Sequence, residues 1–402
     1  MRAAYSDAVA RHDVVVIGAG ISGLAFAAHA ARAGRSVLVL EVDEHAGGCL
    51  ATRPGPDGFW IELGAHTCYN SYGAFLELLE MIGAMGELQP RGKPVLRFLD
   101  GDRLLPGQNL GALLRRMSLG RLLLSLPRAL WASPRGQSVR SHYGRLVGEQ
   151  NYQRVLGPML SAVPSQPAGE LPAEMLFKKR PRRKDVLRSF TLRQGLGAVA
   201  AAVARLPGVT LSTGRRATRV VAGGVEAGER EQADLVAVAT PPAAAAALLS
   251  EVAPAAARAA GSVAEARVDD LGVVVRRDRV ALPYATFLIP LEDSFYSVVT
   301  RDVVPHPEWR GFSFHFKPGA TRDERIERAA RVLGVARAIL EQVEERHTVL
   351  PSPVVGHAAT VAELDRALAG TRVAVTGNWF AGLSIEDCVQ RSRSEWQRLA
   401  ST

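Results

Sequence analysis

Cysteine is scarce in this chain. Cys49, Cys68 and Cys388 stand singly, and no two of them form a C-x-x-C pair. An odd, sparse set supports neither a disulfide framework nor a zinc site, so a reducing compartment and no bound metal are expected. Long apolar runs are missing too, and none reaches the length of a bilayer span. The first buried strand begins by about residue 13, which leaves no room for a cleaved leader. The expectation is a cytoplasmic protein with, at most, peripheral membrane contact. Basic residues are not interleaved with aromatics, which make up only 6% of the chain, and no nucleic-acid-binding module is recognisable. Nucleic acid is therefore not an expected partner. A P-loop, a nucleophile elbow and a zinc pattern are equally absent, which removes kinase and hydrolase readings.

What is there is a chain of 402 residues, 47% hydrophobic and 22% charged, with a mean hydropathy of +0.04. That length allows two or three domains around large cores. The formal charge of +9 and the pI of about 9.9 come mostly from arginine. Such a balance suits anionic lipid or an acidic substrate, or reflects the base composition of the gene alone.

The informative stretch is DVVVIGAGISGLAFAAHAARAGRSVLVLE, residues 13–41, which reads as strand, glycine turn, helix and strand. Gly18, Gly20 and Gly23 hold the G-x-G-x-x-G spacing. Gly18 permits the tight turn, Gly20 lets a pyrophosphate approach the backbone, and Gly23 lets the helix pack close to the sheet. The backbone around Ala19, Ile21 and Ser22 then offers N–H groups to phosphate at a helix start. Glu41, ending the second strand, would accept hydrogen bonds from ribose hydroxyls and repel a 2′-phosphate, favouring FAD or NAD over NADP. A glycine-rich turn in some other α/β fold is the alternative, but strand, helix and acid all agree.

Gly47 and Gly48 form a second tight turn, and Phe59 to Leu63 read as a short strand closing on Gly64. Here the sequence resembles the FAD-dependent amine oxidase and protoporphyrinogen oxidase superfamily. The resemblance implies that Gly47, Gly48, Cys49 and the Gly64–Ala65–His66 segment line the flavin. Cys49 stands where the family usually carries arginine, and Arg53 is a candidate substitute. Cys49 reads either as a small residue packed beside the cofactor or as a point of covalent flavin attachment.

Farther on, apolar spacing at Phe75, Leu78, Leu79 and Ile82 predicts a helix over 71–88, followed by short strands near 95–105. Residues 111–131 alternate leucine clusters with arginine and break at Pro127. They read as an amphipathic surface for anionic lipid or as a basic helix pair walling a substrate domain. The run KKRPRRKDVLR, 178–188, reads as a solvated loop or as an anchor for substrate carboxylates or a membrane. GLGAVA, 195–200, matches G-x-G-x-x-A, but no buried strand precedes it and no acid follows the next strand. It reads as the start of a packed helix, and a second, nicotinamide-binding unit is not expected. Two strands follow, at 215–221 and 233–242. The resemblance maps a backbone contact to adenine onto Val220, and a small-residue turn beside the cofactor onto Ala239 and Thr240. Residues 267–333 alternate as half-buried antiparallel strands do, then a charged helix begins near 321 and more helix is expected to about Arg346. Lys317, isolated in this strand region, is a candidate for an amine-oxidase-like role near the flavin.

The second strong signal is RVAVTGNWFAGLSIEDCVQRSRSEW. It reads as a strand at Val373 to Thr376, a Gly377–Asn378 turn, and a helix starting near Ile385. Ser384 and Asp387 have capping-box-like spacing. Gly377 and Gly382 allow close approach to a planar ring, and the helix N-terminus at Leu383, Ser384 and Ile385 brings positive dipole to it. Gly377, Asn378, Gly382, Asp387 and Cys388 resemble the C-terminal motif of protoporphyrinogen oxidases. Trp379 and Phe380 are candidates for a substrate-facing wall beside the flavin, or for ordinary packing.

The fold class expected is α/β. A Rossmann-like, glutathione-reductase-like FAD-binding domain with a parallel sheet takes residues 1–90, 190–266 and 350–402, and a discontinuous α+β substrate domain takes 91–189 and 267–349. The resemblance implies an FAD-dependent oxidase or dehydrogenase that moves a hydride from a cyclic nitrogen-containing or polyunsaturated small-molecule substrate to flavin N5. Oxygen or another acceptor would take the electrons, in housekeeping or specialised biosynthesis. A redox-neutral FAD isomerase and a non-catalytic flavoprotein stay open. No catalytic acid or base is assignable from the sequence, and the oligomeric state is not readable from it.

Overall fold

The computed structural model describes residues 11–105, 110–120, 122, 123, 125 and 133–400. The Pro127 break and much of the second half of the leucine–arginine segment lie outside these residues.

Val14–Ile17 and Val37–Leu40 are wholly apolar, as central parallel strands buried on both faces require. They pair in parallel, Val14 opposite Val37, at the middle of a seven-stranded sheet. Its order is Val209–Ser212, Val37–Leu40, Arg11–Ile17, Glu229–Val238, Gly224–Ala227 and Arg219–Val221, with Val373–Val375 also pairing with Glu229–Val238. Alternate residues point to opposite faces. Val14, Val16, Val37 and Val39 therefore pack against the helices Ile21–Arg32, Gly73–Met81, Ala198–Ala204 and Ile385–Ala400. Val15, Ile17, Leu38 and Leu40 pack against Pro242–Leu249, Pro254–Gly261 and His357–Leu368. The result is a helix–sheet–helix sandwich. The stretch GLGAVA does begin a packed helix, Ala198–Ala204.

A second seven-stranded sheet runs Gln342–Pro351, Glu265–Arg276, Trp309–Phe316, Phe295–Thr300, Phe287–Pro290, Leu96–Asp100 and Arg103–Leu104. Its pairs are antiparallel except for Phe287–Pro290 with Leu96–Asp100. Phe312, Phe314 and Phe316 face the helix Arg322–Leu333. That helix begins in a capping box, Thr321 with Glu324, and ends on left-handed Gly334. On the opposite face, Val274 and Trp309 pack against Phe59, Ile61 and Leu63.

The expected helix continuing to Arg346 is not there. A short turn, Arg337–Ile339, leads into the ten-residue strand Gln342–Pro351, which pairs with Glu265–Val274. Glutamate and arginine are good helix formers, but the pairing overrides that preference. The helix expected over 71–88 stops at Met81, and left-handed Gly83 turns the chain into a second short turn, Met85–Glu87. Among the described residues no helix is long and apolar enough to cross a membrane.

Candidate active site

The two glycine turns are locked together. Gly20 and Gly47 form a bridge, and Gly47 N–H donates to the Ala19 carbonyl at 2.8 Å. A Cβ on Gly23 would stand 1.9 Å from the Gly18 carbonyl oxygen, so the helix can pack this closely only because the residue is glycine. Gly20 differs: a Cβ there would meet only the Gly48 Cα, at 3.8 Å. Gly20 is also the N-cap of Ile21–Arg32, and no side chain caps that helix. Its first N–H groups, including those of Ile21 and Ser22, are thus available to an anion. Glu41 is buried beside them, its carboxylate accepting from Ala19 N–H at 2.7 Å and Asp43 N–H at 3.0 Å. Ala239 continues the sheet by donating to the Ile17 carbonyl, with Thr240 next to it, and Val220 is fully buried in its strand.

A cavity of about 650 Å³ opens between the two sheets. One side consists of Cys49 and the segment Gly64, Ala65, His66 and Thr67. Ala65 N–H donates to the Cys49 carbonyl at 2.7 Å, and a Cβ on Gly64 would collide with that same oxygen, so the segment is held tightly against the second glycine turn. Burial pushes the Cys49 thiol upward from its ordinary value, toward the protonated form. Arg53 points elsewhere: its guanidinium donates to the Thr52 carbonyl and does not line the cavity.

A second side is the start of Ile385–Ala400, where Asn378, Leu383, Ser384 and Ile385 reach the cavity. Ser384 Oγ accepts from Asp387 N–H at 3.2 Å and Asp387 accepts from Ser384 N–H at 3.3 Å, a reciprocal cap. Asp387 also accepts from Lys178 at 2.7 Å and Arg180 at 2.9 Å. Burial works to raise its pKa, but the hydrogen bonds from Lys178 and Ser384 outweigh it and hold the carboxyl below its usual range. The basic run is therefore pinned to the helix start as part of the cavity wall, while Arg183 pairs with Glu80 and Asp185.

The third side is the second sheet, and sequence reasoning missed it. Asp270, His315, Arg346 and Thr348 all face the cavity. His315 Nδ1 lies 2.6 Å from Asp270 Oδ1, and Thr348 Oγ1 donates to Asp270 Oδ2 at 2.6 Å. The His66 ring meets the His315 ring edge to face at 5.5 Å. Burial, then the proximity of His315 and Arg91, push the His66 pKa well below its ordinary value, so it is a neutral imidazole, with Nε2 buried and unpartnered. The available signals were an acid inside the apolar run VDDLGVVV and a histidine between phenylalanines in GFSFHF.

Three candidates lie outside the cavity, and for Trp379 and Phe380 ordinary packing is the alternative the structure takes. Trp379 and Phe380 do not line the cavity: they are 1% and 4% exposed, stacked 4.2 Å apart in the core on the far side of the parallel sheet. The Trp379 indole N–H donates to the Thr240 carbonyl and the Arg391 guanidinium covers Phe380, which fixes both side chains inward. Lys317 is also outside, its ammonium donating to the Asp293 carbonyl beside the Tyr296 ring.

Comparison with known proteins bears on what fills this space. The chain is similar to 15-cis-phytoene desaturase of Narcissus pseudonarcissus, 36% identical over 77 residues, which is 19% of this chain and 14% of that protein. It is similar to human all-trans-retinol 13,14-reductase, 54% identical over 54 residues, 13% of this chain and 9% of that protein. The matched part is thus a small fraction of either relative. A solved structure from Exiguobacterium sp. 255-15, provisionally designated a protoporphyrinogen oxidase, shares the fold at a TM-score of 0.78 and 17% identity, covering 96% of this chain and 98% of its own. A flavin dinucleotide fits the residues present: open space at Gly20, an uncapped helix start, Glu41 with lone pairs to spare, and an unpartnered His66 nitrogen at the cavity. The sequence model of the flavin containing amine oxidoreductases matches residues 21–269, more than half of the chain, so the protein belongs to that family and takes FAD as its cofactor.

Proposed function

We propose that this chain is an oxidoreductase acting on a cyclic nitrogen-containing or polyunsaturated small molecule. One observation carries the reading: a single cavity is walled by the segment after the second glycine turn, by the capped helix start and by the second sheet. Bound flavin supplies a ring that accepts a hydride, and the protein's task is to place a substrate C–H against it and tune its surroundings.

The glycine turn Gly18–Gly23, with Gly47 and Gly48, holds the diphosphate, and Glu41 the ribose. Val220, Ala239 and Thr240 flank the nucleotide. Gly64–His66, together with Asn378 and Leu383–Ile385, holds the ring, with Gly377 and Gly382 giving the backbone its turns. The N-terminal end of Ile385–Ala400 presents positive dipole where negative charge develops on reduction. Met175, Leu176, Val268 and Leu350 give the cavity an apolar side that keeps water from the reacting carbon. Oxygen or another small acceptor then takes the electrons.

Anaerobic mixing tests this. A reduced tetrapyrrole precursor, simple amines or carotenoid precursors should bleach the oxidised flavin absorbance if one of them is a substrate. Turnover only after prior reduction would instead favour a redox-neutral isomerase, and a bound flavin inert in both states would favour a binding protein.

A further inference from the structure

A much smaller cavity, of about 20 Å³, lies where the second sheet meets the nucleotide half. Among the described residues its wall shares only His66 with the flavin cavity. Thr191 comes to it from Ser189–Leu192, a strand whose Phe190 and Leu192 belong to the nucleotide-side core. Arg301 comes from the other side, directly after the strand Phe295–Thr300 of the second sheet. Arg91, Trp60 and Glu62 complete the polar part of the wall. The space holds one occupant the size of a water molecule or a halide ion, and excludes an organic substrate.

Two cations border this space without a counter-charge. Arg301 lies over the Trp60 ring at 3.9 Å and donates from Nη1 to the Val304 carbonyl, while its Nε is buried with no partner. Arg91 donates to Thr67 Oγ1. Among the described residues neither guanidinium has an ion pair, and the acid that follows Arg301, Asp302, is taken by Arg310. Burial pulls both pKa values down, that of Arg301 to about 10, which leaves both charged near neutrality. Glu62 compensates them poorly. Its two oxygens accept from Thr52 Oγ1 and Leu196 N–H, and with its pKa raised to about 7 it is only partly ionised at neutral pH. Thr191, 1% exposed, has a hydroxyl that is buried and unpartnered.

The unfilled groups are thus a guanidinium N–H, which can only donate, and a hydroxyl free to donate. A water molecule would meet both but leave the two cations uncompensated, which is the costly way to bury charge. We propose that this cavity is a binding site for one small monovalent anion of halide size, held by Arg301 Nε and Thr191 Oγ1 beside Arg91. The ion fastens the second sheet to the nucleotide half, because its two ligands come from opposite sides of the junction.

Thermal melts of the FAD-loaded protein test this without turnover. Sodium chloride and sodium gluconate are compared at equal ionic strength, gluconate being too large to enter. Chloride should raise the melting temperature saturably, by about 2 °C when well above its Kd. Thr191→Val should need about tenfold more chloride for half the effect, the loss expected for one buried hydrogen bond to a charged group. Arg301→Gln should show no chloride-specific rise. If Arg301→Gln does not fold, Thr191→Val, which deletes only an unpaired hydroxyl, still decides. Crystals soaked in sodium bromide should show an anomalous peak in the cavity. Equal melting temperatures in the two salts, a chloride effect unchanged in Thr191→Val, or a cavity holding water and no bromide would overturn the proposal. No flavin reduction is read, so these outcomes are separate from failure of the oxidoreductase reading.

Discussion

Gly48 stands directly against Gly20: a Cβ on Gly48 would lie 2.7 Å from the Gly20 Cα, whereas a Cβ on Gly20 would meet the Gly48 Cα only at 3.8 Å. The contact is asymmetric, and so are the consequences of substitution.

Gly20→Ala should therefore fold, with a stability change within about 1 kcal/mol, because a helix N-cap tolerates the change at modest cost. Its FAD affinity should fall about tenfold or more as the methyl group occupies the approach of the diphosphate. Gly23→Ala should behave oppositely, losing several kcal/mol of stability because its Cβ would overlap the Gly18 carbonyl. Thermal melts and FAD titration of the two variants, side by side, check this.

Removing the acid at the last helix should loosen the cavity wall. Asp387→Ala deletes the cap partner of Ser384 and leaves Lys178 and Arg180 without their carboxylate. The expected loss is about 2–4 kcal/mol, read as a lower melting temperature. Because the folded pKa is depressed, this contribution is present above the ordinary aspartate pKa and fades as pH falls through the lower folded value. The difference between wild type and variant should therefore shrink in strong acid.

Glu62 predicts a slope of the other sign. Burial raises its pKa to about 7, against hydrogen bonds from Leu196 N–H and Thr52 Oγ1, each at 2.7 Å. The folded chain then holds a proton that the unfolded chain releases above about 4.5. Its contribution is complete below that value and declines as pH rises to about 7, by on the order of 2–3 kcal/mol. Glu62→Gln, neutral throughout, should flatten this part of the profile in denaturant titrations taken between pH 5 and pH 8.

Much of the nucleotide half was legible because its signals are local. Gly18, Gly20, Gly23 and Glu41 fall within one strand–turn–helix–strand unit, where spacing fixes geometry. Ser384 and Asp387 are three residues apart and cap as their spacing implied. The row His315–Asp270–Arg346 was not legible, because its members meet only through the register of three strands distant in sequence. The strand at Gln342–Pro351 was hidden by helix-forming glutamates and arginines on a half-exposed edge. Trp379 and Phe380 follow a turn whose direction depends on Gly377, and adjacency to Asn378 did not reveal that they point into the core.

That placement is itself testable. Trp379→Ala should cost about 3–5 kcal/mol of stability, as truncation of a buried aromatic does. Where the variant still folds, its order of preference among bound ligands should be unchanged, as measured by calorimetric titration.

The most direct test of the whole account is uptake of flavin by purified, flavin-stripped protein, followed by absorbance and binding stoichiometry. The account predicts one FAD per chain, with affinity sharply reduced in Gly20→Ala while the fold persists. A chain that stays colourless in the presence of added FAD, or binds it equally well with alanine at position 20, would contradict it.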